Sequence, residues 1–326
     1  MDEQKVLTEL VQNKTATCRM LVVGDVMLDK YYYGEVTRIS PEAPVPVTRV
    51  TDTKETLGGA ANVVHNLALL GCPTEIVGFV GDDQHCQTLL KKFASRGVGS
   101  SGLVYTPAPT TTKLRVIGGH QQMLRLDFEE TEPPAEKYQQ ELQQKITDKL
   151  SAGINGVIIS DYGKGVCTAE TCSHIIAECS KMSIPVVVDP KGRDWERYAG
   201  ADYVTPNLKE INEVLPQRIK NDDTAVEQAA SYVLNKFGIE NMIVTRSEHG
   251  LSLIYGDVAV HIPTKAQEVF DVSGAGDTVI AVFAMALSAG AEPPAAAYLA
   301  NVAASVVVAK LGTYAVSKEE LLAALE

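Results

Sequence analysis

The stretch Asp271-Val272-Ser273-Gly274-Ala275-Gly276-Asp277-Thr278, which runs straight into the apolar segment 279–287, decides how the chain reads. Small residues and two carboxylates stand directly ahead of a helix. With no bulky side chain at 273–276, backbone N–H groups can approach an anion closely, and the positive end of the helix dipole points the same way. The stretch reads equally as a phosphate cradle and as a Gly-rich turn with an acidic cap. In the first reading Gly274, Ala275 and Gly276 offer the anion their backbone. Asp277 then sits at the helix start, where the dipole favours its ionised form and equips it to accept a proton. The rest of the chain has to choose.

Outward from this stretch, short apolar runs recur, each stopping on a polar residue. They are Met20-Leu-Val-Val-Gly-Asp25, Gly156-Val-Ile-Ile-Ser-Asp161, Pro185-Val-Val-Val-Asp-Pro190, Tyr203-Val-Thr-Pro-Asn207 and Met242-Ile-Val-Thr-Arg-Ser247. Helical stretches lie between them at 60–70, 135–150, 169–182 and 224–237. Such alternation predicts an α/β fold with a mostly parallel central sheet, flanked by helices and wound with right-handed crossovers. Ligands of such a sheet bind outside the carboxyl ends of its strands, where Asp161, Asp189, Asn207 and Ser247 fall. Two segments, about 31–57 and 104–130, break the pattern. In the second, Lys113-Leu-Arg-Val-Ile117 and Met123-Leu-Arg-Leu-Asp-Phe128 alternate charged and apolar residues, which marks half-exposed antiparallel strands. These segments are expected to form a small β lid over the active edge, inserted in a single domain covering 1–326.

Composition bounds the function classes. The 326 residues (35.0 kDa) are 45% hydrophobic, ample for a buried core. A net charge of -12 and a pI near 5.1, with no basic block, argue against general binding of nucleic acid or anionic membranes. The polar leader 1–18 lacks the apolar core of a secretory signal, and the uncharged run 293–309 reads as a buried helix. The six cysteines form no CxxC pair, so reduced thiols and a cytoplasmic location are expected. No His pair at metal spacing, no HExxH and no GxSxG occurs, which argues against a zinc site and a nucleophilic hydrolase.

Several groups carry chemistry, each with a plainer reading beside it. Gly58-Gly59-Ala60-Ala61-Asn62 opens a helix: either a backbone surface for a polyol, with Asn62 on its hydroxyls, or a tight capped turn. Asp25 and Asp29 follow the first strand as acceptors for sugar hydroxyls or as turn residues. Lys113 and Arg115 share one strand face and reach Arg125 across a hairpin, forming an anion clamp or a solvated face. Asn207 and Glu210, three apart, suit Mg²⁺ held through water, or a capping box. Thr245-Arg-Ser-Glu-His-Gly250 is a polar loop suited to nucleotide contacts or a turn.

Two signatures, Gly58–Gly81 and Asp271–Asp277, resemble those of the ribokinase-like (PfkB) carbohydrate kinases over nearly the whole chain. Val64 and Val282 depart from the usual small residues, as packing choices. Gly24-Asp-Val-Met-Leu-Asp29, Arg38-Ile-Ser-Pro-Glu-Ala-Pro-Val-Pro-Val47, Thr112-Lys-Leu-Arg115, Leu124-Arg-Leu-Asp-Phe-Glu129 and Gln267-Glu-Val-Phe-Asp271 resemble the heptose 7-phosphate kinase branch, which makes a precursor of the lipopolysaccharide inner core. The resemblance implies Asp277 as catalytic base with Gly274–Gly276 as anion hole. It implies sugar contacts at Asp25, Asp29, Gly58, Gly59, Asn62 and Asp161, with the 7-phosphate at Lys113, Arg115 and Arg125. Asn207 and Glu210 would organise Mg²⁺ around ATP, with Thr245, Ser247, Gly250, Gly274, Gly276 and Asn301 near the nucleotide. Asp271, Ser273, Gly312 and Ser317 would ring a monovalent cation, K⁺. The implied activity is phosphorylation of the C1 hydroxyl of heptose 7-phosphate by a homodimer. A kinase for another sugar or a nucleoside, and a silent sugar-binding regulator, are the alternatives. The HxGH motif of the nucleotidyltransferase often fused to this branch does not occur, so that activity is expected to lie outside this polypeptide.

Overall fold

In chain order the strands are β1 (Met20–Gly24), β2 (Val26–Ile39), β3 (Pro46–Gly59), β4 (Thr74–Gly81), β5 (Gly99–Thr106), β6 (Thr112–Gly118), β7 (Gln121–Phe128), β8 (Gly156–Ser160), β9 (Val186–Asp189), β10 (Tyr203–Val204), β11 (Asn241–Thr245), β12 (Leu251–Tyr255) and β13 (Val258–Ile262). The α-helices are α1 (Glu3–Glu9), α2 (Ala60–Leu69), α3 (Gln84–Ala94), α4 (Glu136–Leu150), α5 (Ala169–Met182), α6 (Leu208–Val214), α7 (Asp223–Phe237), α8 (Ala275–Ser288), α9 (Pro293–Val308) and α10 (Lys318–Leu325). The computed structural model describes residues 3–119, 121–266, 268–310 and 312–326. Met1 and Asp2 of the leader, and Gln267 of the 267–271 match, lie outside the described residues.

Nine strands form one sheet in the order β13-β12-β11-β10-β9-β8-β1-β4-β5. Pairing is parallel from β5 to β11, and β12 and β13 close one side antiparallel. The apolar runs show why. In β1, Met20 and Val22 join one hydrophobic core while Leu21 and Val23 join another; Ile158 against Val157 and Ile159 in β8 divides the same way. A strand covered by helices on both sides has no solvated face, so it reads as a continuous apolar run rather than an alternating one. Helices α2, α3, α8, α9 and α10 cover one side, and α4, α5, α6 and α7 the other.

The second sheet runs β3-β2-β6-β7, with antiparallel outer pairs and a parallel β2–β6 pair at its centre. Its first segment starts earlier than 31, because β2 leaves the body at Val26 with Val26, Met27 and Leu28 buried. Its second segment starts later than 104, because 104–106 belong to β5 at the edge of the large sheet. The leader, expected to carry one weak amphipathic helix, forms α1 and the turns that follow it. Leu7, Leu10 and Val11 are buried in the core beside α9 and α10. β4, β5, β12, β13, α3 and α10 carry no expectation from the sequence. Among the described residues no helix is long and apolar enough to cross a membrane.

Helix α8 is apolar on nearly every side and packs over the middle of the sheet. Phe283 is fully buried and meets the Tyr203 ring edge-on, with centroids 4.9 Å apart. Replacing Phe283 by Ala is expected to cost about 3–5 kcal/mol of unfolding free energy, read by chemical denaturation, because a ring-sized cavity opens beneath the helix.

Candidate active site

Asp277 lies in the first turn of α8, after Gly274 takes a left-handed φ of 82°. A side chain at Gly274 would be strained, and its Cβ would come within 2.9 Å of Asn62 Nδ2. The space over Gly276 is different: a Cβ there would meet nothing within 4 Å. The helix start therefore presents an open surface beside a buried carboxylate.

The Asp277 carboxylate is gripped at both oxygens. Asn62 Nδ2 donates to Oδ2 at 2.8 Å, and the Tyr162 hydroxyl donates to Oδ1 at 2.7 Å. Asn62 belongs to α2, which begins where β3 ends at Gly59 and lies against α8; Thr278 Oγ1 donates to Asn66 Oδ1 at 3.0 Å along the same seam. Burial pushes the Asp277 carboxyl up to about 6, against the pull of its two donors. It is a group poised to exchange a proton near neutral pH. Asn62 Oδ1 is buried with no hydrogen-bond partner among the described residues, an acceptor that suits a hydroxyl.

The other carboxylates named from the sequence separate into different roles. Asp29 accepts from Arg115 at 2.6 Å on the lid and faces the site. Asp25 and Asp161, which the resemblance puts on the sugar, accept hydrogen bonds from the loop 162–166. Asp25 accepts from the backbone of Tyr162, Lys164 and Val166, at 2.7, 3.0 and 3.2 Å. Burial, reinforced by the Asp161 charge, raises its carboxyl to about 6. Asp161 accepts from Gly163 N at 2.7 Å and Tyr198 at 2.6 Å, and pairs with Arg197 at 2.8 Å. A loop with this many backbone donors turned inward requires buried acceptors, and strand-end aspartates supply them.

The clamp is also redistributed. Lys113, Arg115 and Arg125 do share the inner lid face, with Arg115 opposite Arg125 across the hairpin. Arg115 is paired to Asp29 and lies over the Tyr31 ring, and Arg125 is chelated by its neighbour Asp127 at 2.8 and 2.9 Å. Lys113 has no ion pair among the described residues, and burial depresses its ammonium. Its Nζ lies 5.5 Å from the Tyr162 ring centre.

At the far end of the cleft, Asn207 and Glu210 form the capping box of α6 and Glu210 Oε1 takes Lys191, so the plainer of the two readings is the one the side chains adopt. Asp189, beside them, is pushed well up by burial and then by the charges of Glu210 and Asp277. Among the described residues no three His, Cys, Asp or Glu stand together to cage a metal. Thr245 ends β11 and bridges to Asn207, Ser247 takes a φ of 52°, and Gly250 has no room for a Cβ, which would lie 2.1 Å from Ile262 O. Asn301 donates to Pro263 O at 2.8 Å behind them. Asp271 accepts from Ser273 N and Gly312 N at 2.9 and 3.0 Å. Burial acts to raise its carboxyl, and these bonds more than offset it. Ser317 caps α10 in a capping box with Glu320. Tyr162, which meets Asp277, and Lys54, whose Nζ would lie 3.9 Å from a Cβ at Gly312, were not expected from the sequence. Neither carries a motif signal.

This architecture is ribokinase-like: a lidded, mostly parallel sheet with a Gly-rich helix start at its working edge. It overlaps the structure of Arabidopsis thaliana ribokinase complexed with ribose and ATP with a TM-score of 0.73 at 20% identity, covering 95% of this chain and 99% of that one. It overlaps Escherichia coli phosphofructokinase-2 in complex with potassium with a TM-score of 0.76 at 19% identity, covering 94% and 98%. A family model described as pfkB family carbohydrate kinase matches residues 19–320, and the chain belongs to that family, whose members transfer a phosphoryl group to an alcohol. It is 43% identical over 329 residues to the Bifunctional protein HldE of Trichlorobacter lovleyi. That match takes in 99% of this chain, which spans 66% of the relative's length.

Asp277 is expected to titrate near pH 6, followed by carboxyl carbon-13 NMR. Replacing Asn62 by Leu removes a donor to the charged form and is expected to move the midpoint upward.

Proposed function

We propose that this chain is an ATP-dependent kinase that phosphorylates the C1 hydroxyl of D-glycero-D-manno-heptose 7-phosphate, with Asp277 as general base. The observation that carries this reading is the juxtaposition of Asp277 with Lys113, a cation without an ion pair among the described residues, on the lid face above it. In this reading the substrate's phosphate lies toward Lys113 and its reactive hydroxyl toward Asp277. The likeness to relatives named bifunctional HldE and the branch-specific motifs support the heptose assignment, and the lidded sheet supports one kinase domain across 1–326.

In this reading Asn62 and Asp29 hold sugar hydroxyls against the backbone of Gly58 and Gly59, and Lys113 takes the 7-phosphate with Arg115 and Arg125 around it. Asp277 accepts the C1 proton as the oxygen attacks, while the backbone at Gly274–Gly276 receives the transferred group's negative charge. Little covalent chemistry is demanded of the protein, so positioning and charge carry the rate. Mg²⁺ bound with ATP supplies neutralisation of phosphate charge. The engaged Asn207 and Glu210 suit an ion held through water, and an inner-sphere cage does not fit the described residues. Thr245, Ser247, Gly250 and Asn301 surround the nucleotide. Asp271, kept ionised between Ser273 and Gly312, suits a monovalent cation such as K⁺. Ser317, engaged as a helix cap, is the weakest member of that group. We also infer a homodimer through the outer lid face, where Leu124 and Leu126 are half exposed beside Val116. No nucleic acid or membrane partner is called for, and a cytoplasmic site of action suits the substrates.

An ADP-release assay over heptose 7-phosphate, fructose 6-phosphate, ribose and adenosine tests the substrate. Heptose 7-phosphate is expected to give the highest kcat/KM, and a preference for ribose or adenosine would replace the reading. Asp277→Asn is expected to lower kcat by about 100-fold or more with KM for ATP little changed. Lys113→Ala is expected to raise KM about 10- to 100-fold for phosphorylated sugars only; an equal rise for ribose would count against the clamp. Leu124→Asp is expected to convert the dimer to monomer in light scattering.

A further inference from the structure

Tyr162 has no part in the proposed reaction so far, yet its hydroxyl touches the centre of the site. Asp277 Oδ1 accepts from it at 2.7 Å while Asn62 holds Oδ2 at 2.8 Å. We propose that Tyr162 is a positioning residue for the general base, fixing the Asp277 carboxylate in one orientation so that its remaining lone pairs face the acceptor hydroxyl. This rests on the assignment of Asp277 as base.

A carboxylate bonded at one oxygen swings about its last side-chain torsion, whereas one bonded at both is held. Reaction rates depend steeply on that alignment. The donor must itself be fixed, and it is. Tyr162 N donates to Asp25 Oδ2 at 2.7 Å, and Lys164 N and Val166 N fasten the same carboxylate. Asp161 braces Gly163 from the other side while tied to Tyr198 and Arg197. The two strand-end aspartates thus act at one remove, setting the phenol through the loop 162–166 and the base through the phenol. Lys113 lies over the ring, so the lid strand closes against the same side chain.

Tyr162 acts only as a donor. Burial, followed by the carboxylates of Asp277 and Asp189, pushes its phenol well above the ordinary value, so it keeps its proton. The charged and titratable groups around Asp277 are Asp29 from β2, Lys113 from β6, Asp189 at the end of β9 and Tyr162 itself, with neutral Asn62 from α2. A donor to the ionised form lowers a carboxyl's pKa. Losing the phenol hydroxyl therefore moves the Asp277 titration upward, and activity, which needs the ionised base, is lost at a less acidic pH as the solution is acidified.

The test uses the full chain with Tyr162→Phe and, separately, 3-fluorotyrosine at 162, a stronger donor of nearly the same size. Tyr162→Phe is expected to lower kcat about 10- to 100-fold with both KM values little changed. The acidic limb of kcat/KM is expected to rise by about one pH unit. The fluorinated protein should move the limb the other way with an unchanged melting temperature. An acidic limb unmoved by both changes, or a kcat raised by Tyr162→Phe, overturns the proposal. If Tyr162→Phe fails to fold by circular dichroism, the fluorinated protein decides alone. Should the wild-type chain ignore heptose 7-phosphate, the substrate reading fails by itself, and the same profiles on whichever panel sugar releases ADP still decide Tyr162. Full activity of Asp277→Asn would instead remove the base.

Discussion

Two hydrogen bonds on Asp277, from Asn62 and from Tyr162, tie together segments 215 and 115 positions apart in sequence. One oxygen is held by the helix that follows the lid hairpin, the other by the loop that follows β8. Both the lid and the sheet edge must therefore be in place before the carboxylate is. The arrangement also sets the group's chemistry. Burial alone drives a carboxyl toward its neutral form, and two donors draw it back toward the charged one, leaving it near 6. A carboxyl that titrates near neutrality needs that balance between desolvation and hydrogen bonding.

The same economy of charge runs through the cleft. In an acidic chain, cations near the site are shared out among carboxylates: Arg115 to Asp29, Lys164 to Glu129, Lys191 to Glu210, Arg197 to Asp161. Pairing lowers the cost of keeping these groups half-buried, and it leaves Lys113 as the cation on the inner lid face with its charge uncompensated by a contact among the described residues. A cation already paired has less charge to offer a further anion, so the three basic residues of the lid strands are not equivalent.

Behind the site, rigidity comes from apolar packing on both faces of one sheet. Helix α8 carries the site at its first turn and buries almost its whole length, so the Gly-rich start cannot shift without disturbing Phe283 and its neighbours. The lid has no such backing. Its four strands reach out from the body, and strand β7 is exposed along its length. A covering element that is weakly packed can open and close over a cleft that is not.

The sequence by itself determined the strand and helix alternation, the lid hairpins near 113–128, the helix start at Asp277 and the family. These are local signals: apolar runs of strand length, period-two charge alternation and small residues before a helix are imposed by backbone geometry within a few residues. It did not determine what Asp25 and Asp161 accept, how the lid cations are paired, or that Tyr162 meets Asp277. Whether a strand-end aspartate faces a ligand or turns back onto its own loop depends on which unsatisfied N–H groups come within about 3 Å of it. For Asp25 that depends on the path of a loop more than 100 positions away in the chain, and for Asp161 on Tyr198 and Arg197 closing around it, so only the folded chain fixes either.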